Sequence, residues 1–229
     1  MRIKVILDNN NNNNNQIPVN NNNILVGFVN NILGNNNEYH GKTGQYCLSS
    51  LQGGKLNTDK KTLSFSDNNP YFYFSSMNLD TITKFISNIN NLSNNIKCMG
   101  MSISNIDVID DFKVNNFFDN VITISPILLY NNDYSKKITF KTSNNWVNLL
   151  IEQSKRKLKH YNIYDETFNI EIVKPHKSKH KTIFYNDIFN PCTLTRLKIY
   201  GKKETRYTLY NLGLGASNAI GFGAINIMN

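Results

Sequence analysis

The chain of 229 residues is expected to fold as an α+β protein with two tandem domains, each an antiparallel sheet covered by two helices. Its length suits two domains of roughly 100 residues, each with its own core. In the first half, apolar periodicity gives the order strand, helix, strand, strand, helix, strand, which is ferredoxin-like. The second half repeats that order. We therefore predict domains at 1–116 and 117–229.

The elements of the first half follow from alternation and from helical stripes of apolar residues. Gly34 is expected to end the first helix, and Pro70 interrupts the β-type run at 61–74. We expect strands at 1–7, 45–51, 61–74 and 96–112, and helices at 24–33 and 79–92.

The second half is less regular, but its helix is well marked by Trp146, Leu149, Leu150 and Leu158 at helical spacing. Residues 204–211 fit neither period cleanly, so helix and strand both remain open for them. We expect strands at 121–129, 167–173, 193–200 and 224–228.

The charge balance favours a polyanionic partner. Lys and Arg number 25 against 16 Asp and Glu, which gives a formal net charge of +9. Nucleic acid or an anionic membrane surface would suit this charge, and a merely basic soluble protein is the alternative. No apolar run approaches the ~20 residues of a spanning helix, and the first residues lack a signal peptide. We therefore expect a cytoplasmic protein without a membrane partner.

Metal ions and cofactors are not expected. The three cysteines are far apart and form no CxxC pair, and the histidines show no HxH or HExxH spacing. Asp107, Asp110 and Asp111 form a local acidic cluster, but no calcium-loop glycine accompanies them.

The densest motif is a run with four glycines in eleven residues, Gly213, Gly215, Gly221 and Gly223. Such a run lets backbone amides approach an anionic ligand closely. A dinucleotide fingerprint or a P-loop must open into a helix, however, and residues 224–229 resemble a strand. No Gly-Lys-Ser/Thr is present either, so a mononucleotide site is disfavoured.

The segment GLGASNAIGFGAINI resembles the C-terminal glycine loop of Cas6-type RAMP proteins. VITISPILLY, from residue 121, is similar to the opening strand of that family's second domain, and residues 146–161 resemble its basic helix. YCLSSLQGG, from residue 46, looks like part of the family's histidine segment. The resemblance implies RAMP/RRM-like domains and a metal-independent endoribonuclease. Such an enzyme cuts CRISPR precursor RNA within the repeat and leaves a 5′-hydroxyl and a 2′,3′-cyclic phosphate.

The resemblance places the catalytic histidine at His40, in the glycine-flanked segment EYHGKTGQ. An imidazole with a reference pKa near 6.5 exchanges protons at neutral pH, so His40 is the candidate general acid or base. Tyr39, Lys42 and Lys55 are candidates for assisting roles, among which the sequence does not choose. A plain surface histidine is the alternative.

Basic residues crowd one and a half turns of the helix predicted around residue 155, where only Glu152 offers compensation. We expect this face and the glycine loop to contact RNA phosphates. The candidate RNA-binding residues are Lys155, Arg156, Lys157, Lys159, Arg206, Gly213, Gly215, Gly221 and Gly223.

The expected partner is CRISPR repeat RNA, as precursor and as mature crRNA, bound by a monomer or a homodimer. One alternative is a catalytically silent RAMP subunit that holds guide RNA in a multi-subunit CRISPR effector complex. Another is an unrelated basic ferredoxin-like protein that binds other RNA. His40 favours the enzyme, because a binding subunit has no use for a titratable group in that segment.

Overall fold

The computed structural model of the protein describes residues 1–8, 17–34, 45–59, 61–65, 69–91, 97–109 and 119–228. The first half contains β1 (Arg2–Asp8), β2 (Ile17–Pro18), α1 (Asn22–Leu33), β3 (Cys47–Leu48), β4 (Lys55–Leu56), β5 (Thr62–Ser64), β6 (Tyr71–Ser75), α2 (Leu79–Asn91) and β7 (Ser102–Ile109). The second half contains β8 (Asn120–Thr123), β9 (Leu129–Tyr130), β10 (Lys137–Ile138), α3 (Trp146–His160), β11 (Asn169–Ile172), β12 (Lys179–Tyr185), β13 (Ile188–Leu194), β14 (Arg196–Tyr200), α4 (Lys203–Leu212) and β15 (Ile225–Ile227).

The first sheet has the order β3-β6-β1-β7, and all its neighbours are antiparallel. Alternate residues of β1, namely Ile3, Val5 and Leu7, are fully buried, as expected for a strand with one face on a core. Helices α1 and α2 contribute to the same core. Strands β2, β5 and β4 form a separate small sheet.

The second sheet repeats this arrangement in the order β11-β14-β8-β15. A second core packs against it, with the fully buried Trp146 of α3 as its largest side chain. Helices α3 and α4 occupy the positions in chain order that α1 and α2 hold in the first half. The predicted fold of two tandem ferredoxin-like domains is therefore confirmed. The proposed boundary between residues 116 and 117 lies outside the described residues.

The structure differs from the sequence-based prediction in two strands of the second half, and it shows the conformation of one segment that the sequence left open. Residues 121–129 do not form one strand: β8 ends at Thr123, and Ser125 and Pro126 separate it from β9. Proline cannot donate to a ladder, which explains the break. The strand predicted at 193–200 is interrupted at Thr195 between β13 and β14, and the open segment 204–211 is helical in α4.

In the described part of the chain, we find no helix that is both long and apolar enough to cross a bilayer.

Candidate functional site

The glycine loop, residues 213–223, has a backbone that favours glycine at all four of its glycine positions. The φ angles are 73° at Gly213, 69° at Gly215, 94° at Gly221 and 67° at Gly223. All four lie in the left-handed region, which side chains with a Cβ rarely adopt. A Cβ would also collide with the carbonyl oxygen of Leu128 at Gly215. The backbone of the loop therefore restricts which residues these positions accept.

The loop is bound along the β8–β9 connection. The backbone N–H of Ala216 donates to the Leu128 carbonyl at 2.9 Å, and that of Gly223 donates to the Pro126 carbonyl at 2.9 Å. Within the loop, Leu214 N–H donates to the Gly223 carbonyl at 2.9 Å. Pro126 of the Ser-Pro-Ile segment and Leu128 just after it therefore provide the acceptors that hold the loop.

Two polar side chains collect the loop's inward carbonyl groups. The Lys157 ammonium donates to the carbonyls of Gly213 at 2.6 Å, Gly215 at 3.3 Å and Leu212 at 3.4 Å, and to Asn218 Oδ1 at 2.6 Å. Asn218 Nδ2 in turn donates to the carbonyls of Leu214 and Phe222, each at 3.0 Å. Lys157 keeps partial exposure as a residue, but the loop's oxygens enclose its ammonium.

Burial lowers the pKa of Lys157 to about 8, and the nearby Cys47 thiol acts in the opposite direction. An ammonium with this pKa is mostly charged at pH 7. At neutral pH the loop is thus held around a buried positive charge.

The apolar member of the loop, Phe222, is fully buried against Leu128 and Cys192. Ile183 of β12 and Ile220 pack against the same cluster. The β12–β13 hairpin therefore supports the loop from its apolar side. Cys192 itself is a buried free thiol, as expected for a small apolar residue.

The loop lies where the two domains meet. Cys47 Sγ lies close to Gly213, at only 2.8 Å from an ideal Cβ built there, and Asn22 Nδ2 donates to the Ile220 carbonyl at 3.5 Å. Beside these contacts, Ser50 N–H donates to Ser125 Oγ at 2.7 Å. The segment around residue 50 that resembles the histidine segment and the Ser-Pro-Ile segment around residue 125 are thus in direct contact.

The basic helix is α3, and its cationic side chains do not all point the same way. Lys155, Arg156 and Lys159 are exposed. Arg156 donates to the Tyr134 hydroxyl at 2.6 Å and lies 3.8 Å from Glu152. Lys157, predicted with them as a phosphate contact, directs its ammonium into the glycine loop instead. Its ammonium therefore has partners within the protein, and its phosphate contact stays a prediction.

Arg206, the remaining predicted RNA contact, lies on α4 and is paired with Asp119 at 2.6 Å. Its side chain is 21% exposed. This ion pair joins α4 to the residue directly before β8, so Arg206 has a structural partner besides any RNA contact.

Three of the four predicted catalytic residues, Tyr39, His40 and Lys42, lie outside the described residues. Lys55 is exposed on β4. The segment that carries His40 connects α1 to β3, and β3 begins at Cys47, against the glycine loop. In the described ranges, no group of three or more His, Cys, Asp or Glu side chains is arranged to hold a metal ion.

Sequence reasoning missed the structural roles of Lys157, Asn218 and Phe222. A signal for Lys157 was available, because it lies eleven residues after Trp146 and so falls on the buried face of α3. A charged residue on an apolar face needs buried partners. Nothing in the sequence pattern identified Asn218, whose partners are backbone carbonyls.

Comparison with known proteins agrees with this geometry. Residues 111–227 match the family model for the C-terminal part of the CRISPR associated protein Cas6. No curated protein sequence matches the chain. A solved structure described as CRISPR associated protein Cas6 has 21% identity and a TM-score of 0.80, covering 100% of this chain and 99% of its own. A Cas6-related protein from Pyrococcus furiosus has 20% identity and a TM-score of 0.81, and the match covers 100% of this chain and 98% of that protein's chain.

A third structure, described as a RAMP protein binding different RNA substrates, has 18% identity and a TM-score of 0.80, with 100% of both chains covered. At these identities the three structures establish a shared fold. The family model spans more than half of the chain and includes the glycine loop and its supporting elements. The chain therefore belongs to the Cas6 family of CRISPR-associated proteins.

Proposed function

We propose that the protein binds CRISPR repeat RNA and cleaves precursor crRNA within the repeat, without a metal ion. The observation that carries the binding part of this proposal is the difference between the two kinds of backbone group in the glycine loop. Its inward carbonyls have donors within the protein, and some of its N–H groups have no acceptor in the described part of the chain. Its carbonyls at 212–215 and 222 are bound by the side chains of Lys157 or Asn218, whereas the N–H groups of Ser217 and Ala219 have no acceptor among the described residues. Ser217 is exposed and Ala219 is partly exposed. Outward N–H groups suit phosphate oxygens.

The surrounding charge supports the same ligand. Exposed Lys155, Arg156 and Lys159 lie on α3, the helix whose Lys157 holds the loop. The whole chain carries a formal net charge of +9. RNA in A-form is read mainly through its backbone and shape, which a basic face and a backbone loop can contact. One similar structure is described as a RAMP protein that binds RNA, which supports this ligand class.

The proposed cleavage is an internal transfer of the phosphoryl group. A base takes the proton of the ribose 2′-hydroxyl, the 2′-oxygen attacks the adjacent phosphorus, and the bond from phosphorus to the 5′-oxygen breaks. An acid protonates the leaving 5′-oxygen, and a cation stabilises the crowded phosphate. The products are a 2′,3′-cyclic phosphate and a 5′-hydroxyl. No redox partner or second substrate is required.

His40 is proposed as the general acid or base, with Tyr39, Lys42 and Lys55 in assisting roles. Support comes from the way its segment is attached. The segment leaves α1, whose N-terminal Asn22 binds the glycine loop, and ends at β3, whose Cys47 lies against Gly213. Both elements that flank His40 in sequence therefore contact the loop proposed to bind phosphate.

The test is cleavage of a labelled repeat RNA by the purified protein in EDTA. Wild type should release a fragment with a 2′,3′-cyclic phosphate and a fragment whose 5′-hydroxyl is a substrate for polynucleotide kinase. His40→Ala should keep RNA affinity but slow single-turnover cleavage by at least about 100-fold. A matched RNA with a single 2′-deoxy nucleotide at the cut site should bind normally and remain uncut.

Two results would contradict the proposal. A His40→Ala protein that cuts within about threefold of wild type places the proton transfer elsewhere. A wild type that binds its own repeat tightly and never cuts it is a silent RAMP subunit, which should then be retained with guide RNA in an effector complex.

A further inference from the structure

We propose that Lys157 is a positioning residue, whose buried ammonium sets the polarity of the glycine loop so that backbone N–H groups face the RNA. This inference rests on the proposed RNA binding and specifies how the binding face is formed. It also separates Lys157 from its neighbours on α3, which remain candidates for direct phosphate contacts.

The first step of the argument is the number of oxygens gathered at one point. Lys157 binds three backbone carbonyls directly, and through Asn218 it is linked to two more, at Leu214 and Phe222. Carbonyl dipoles that converge in this way repel one another unless a cation or a donor lies between them. The ammonium provides that charge, and its three N–H groups have four oxygens within reach.

The second step concerns the opposite side of the same peptide groups. The φ and ψ angles that point a carbonyl toward the inside of the loop also restrict the direction of the N–H groups next to it in the chain. Where the loop turns through Ser217, which has φ of 59°, the N–H groups of Ser217 and Ala219 lack an acceptor in the described chain. Successive N–H groups in such turns form concave sites for anions. The inward direction of the carbonyls and the outward direction of the N–H groups thus follow from the same backbone conformation of the loop.

The third step excludes a direct phosphate contact for this lysine. Its donors are already directed at protein oxygens at 2.6–3.4 Å, and its ammonium is enclosed. To reach a phosphate it would have to leave several carbonyls without a donor. Lys155 and Lys159, two residues away on either side, are exposed and have no such constraint.

The experiment compares Lys157→Met with Lys155→Met, the same substitution at an exposed position of the same helix. Lys157→Met should weaken binding of repeat RNA by about tenfold or more, as expected for the loss of charge-assisted hydrogen bonds. The slope of log affinity against log salt should stay unchanged, because no phosphate contact is removed. Lys155→Met should instead lower that slope by roughly one contact. Lys157→Arg, which keeps the charge, should recover part of the affinity.

A second measurement does not require RNA. Amide hydrogen exchange at Ala216 and Gly223, whose N–H groups bond to Leu128 and Pro126, should become faster in Lys157→Met and stay unchanged in Lys155→Met. If Lys157→Met does not fold, Asn218→Asp decides, because it keeps an acceptor for Lys157 but loses the donor to Leu214 and Phe222. We expect that variant to show the faster exchange and the weaker RNA binding too.

The outcomes are distinguishable. A lower salt slope with unchanged exchange would show that Lys157 contacts phosphate directly, which overturns the inference. Unchanged affinity and exchange in Lys157→Met would also overturn it. If wild type binds no repeat RNA, the proposed function fails, while the exchange measurement still reports whether Lys157 organises the loop.

Discussion

The guanidinium carbon of Arg2 lies 3.5 Å from the centroid of the Tyr210 ring, and both residues are almost completely buried. Arg2 Nη2 also donates to the Tyr210 carbonyl, and Nη1 donates to the Ile225 carbonyl at 2.7 Å. Tyr210 lies in the last turn of α4, where the helix dipole favours a cation. The first strand of one domain is thus joined to α4 and β15 of the other by a buried arginine.

Arg2→Met should lower the free energy of unfolding by about 2 kcal/mol, because two buried carbonyls lose their donor while the burial of a charge is relieved. Arg2→Lys should be more destabilising still, since it keeps the buried charge but loses the planar fork and the stacking on Tyr210. Denaturant unfolding of the three proteins measures this order. A lysine variant as stable as wild type would show that the fork and the stacking contribute nothing.

The exposed cations of α3 should determine the salt dependence of RNA binding. Changing Lys155, Arg156 and Lys159 together to Ala should weaken binding and reduce the salt slope by up to about three phosphate contacts. The control is the triple change of Lys61, Lys84 and Lys136 to Ala, which removes the same charge from positions outside α3. Equal slopes for both triple variants would mean that RNA senses only the net charge.

The four loop glycines should differ in their tolerance of alanine. A Cβ at Gly223 would overlap the Leu214 carbonyl and one at Gly215 the Leu128 carbonyl, whereas at Gly221 it would lie 3.0 Å from the amide nitrogen of Asn22, a side chain that can move. Gly223→Ala and Gly215→Ala should therefore lower the melting temperature most, and Gly221→Ala least.

Gly27 in α1 is the matched control for this series, because nothing lies within 4 Å of a Cβ built there. Gly27→Ala should raise stability by about 0.5–1 kcal/mol, as alanine does in an exposed helix. Thermal unfolding compares the variants, and repeat-RNA binding is measured on each. If Gly215→Val and Gly221→Val both melt and bind as wild type does, the loop is only a linker.

Acid should destabilise the start of α4 through Asp165. Burial opposes ionisation of this carboxyl, but hydrogen bonds from Thr167, Thr205 and the Lys202 N–H outweigh it and lower its pKa to about 2. A depressed carboxyl pKa gives stability that is fully present above the unfolded value of 3.8 and is lost as the pH falls toward 2. Because the group is partly exposed, we expect a loss of only about 1 kcal/mol.

The measurement is the stability of wild type and Asp165→Asn between pH 5 and pH 2. Wild type should lose about 1 kcal/mol more than the variant over this interval. Parallel curves would show that Asp165 does not stabilise the turn before α4.

The elements that bury one regular face could be predicted from sequence, as in α1, α3 and β1. The helix α4 could not be predicted in this way, and Tyr210 shows the reason. Its ring is buried against Arg2, which lies 208 residues away in the chain, so neither helical nor strand periodicity accounts for its burial. Lys157 gave two conflicting signals in the sequence for a related reason. Its charge indicated a position in solvent, whereas its spacing from Trp146 indicated the buried face of α3. Both are satisfied in the folded protein, because the glycine loop supplies oxygens that bind the buried ammonium.

The way the glycine loop is held also has a consequence for the order of folding during synthesis. Asn22 and Ile220 are 198 residues apart, Ser50 and Gly221 are 171 apart, and Arg2 and Ile225 are 223 apart. Contacts of such separation form late, and domains fold in the order in which they leave the ribosome. The first domain must therefore wait with Arg2 and Asn22 uncovered until residues 210–225 arrive. A nascent chain that ends before the loop would keep most of both cores but would lack the face proposed to bind RNA. If the proposed function holds, only chains whose two halves have already docked should capture RNA.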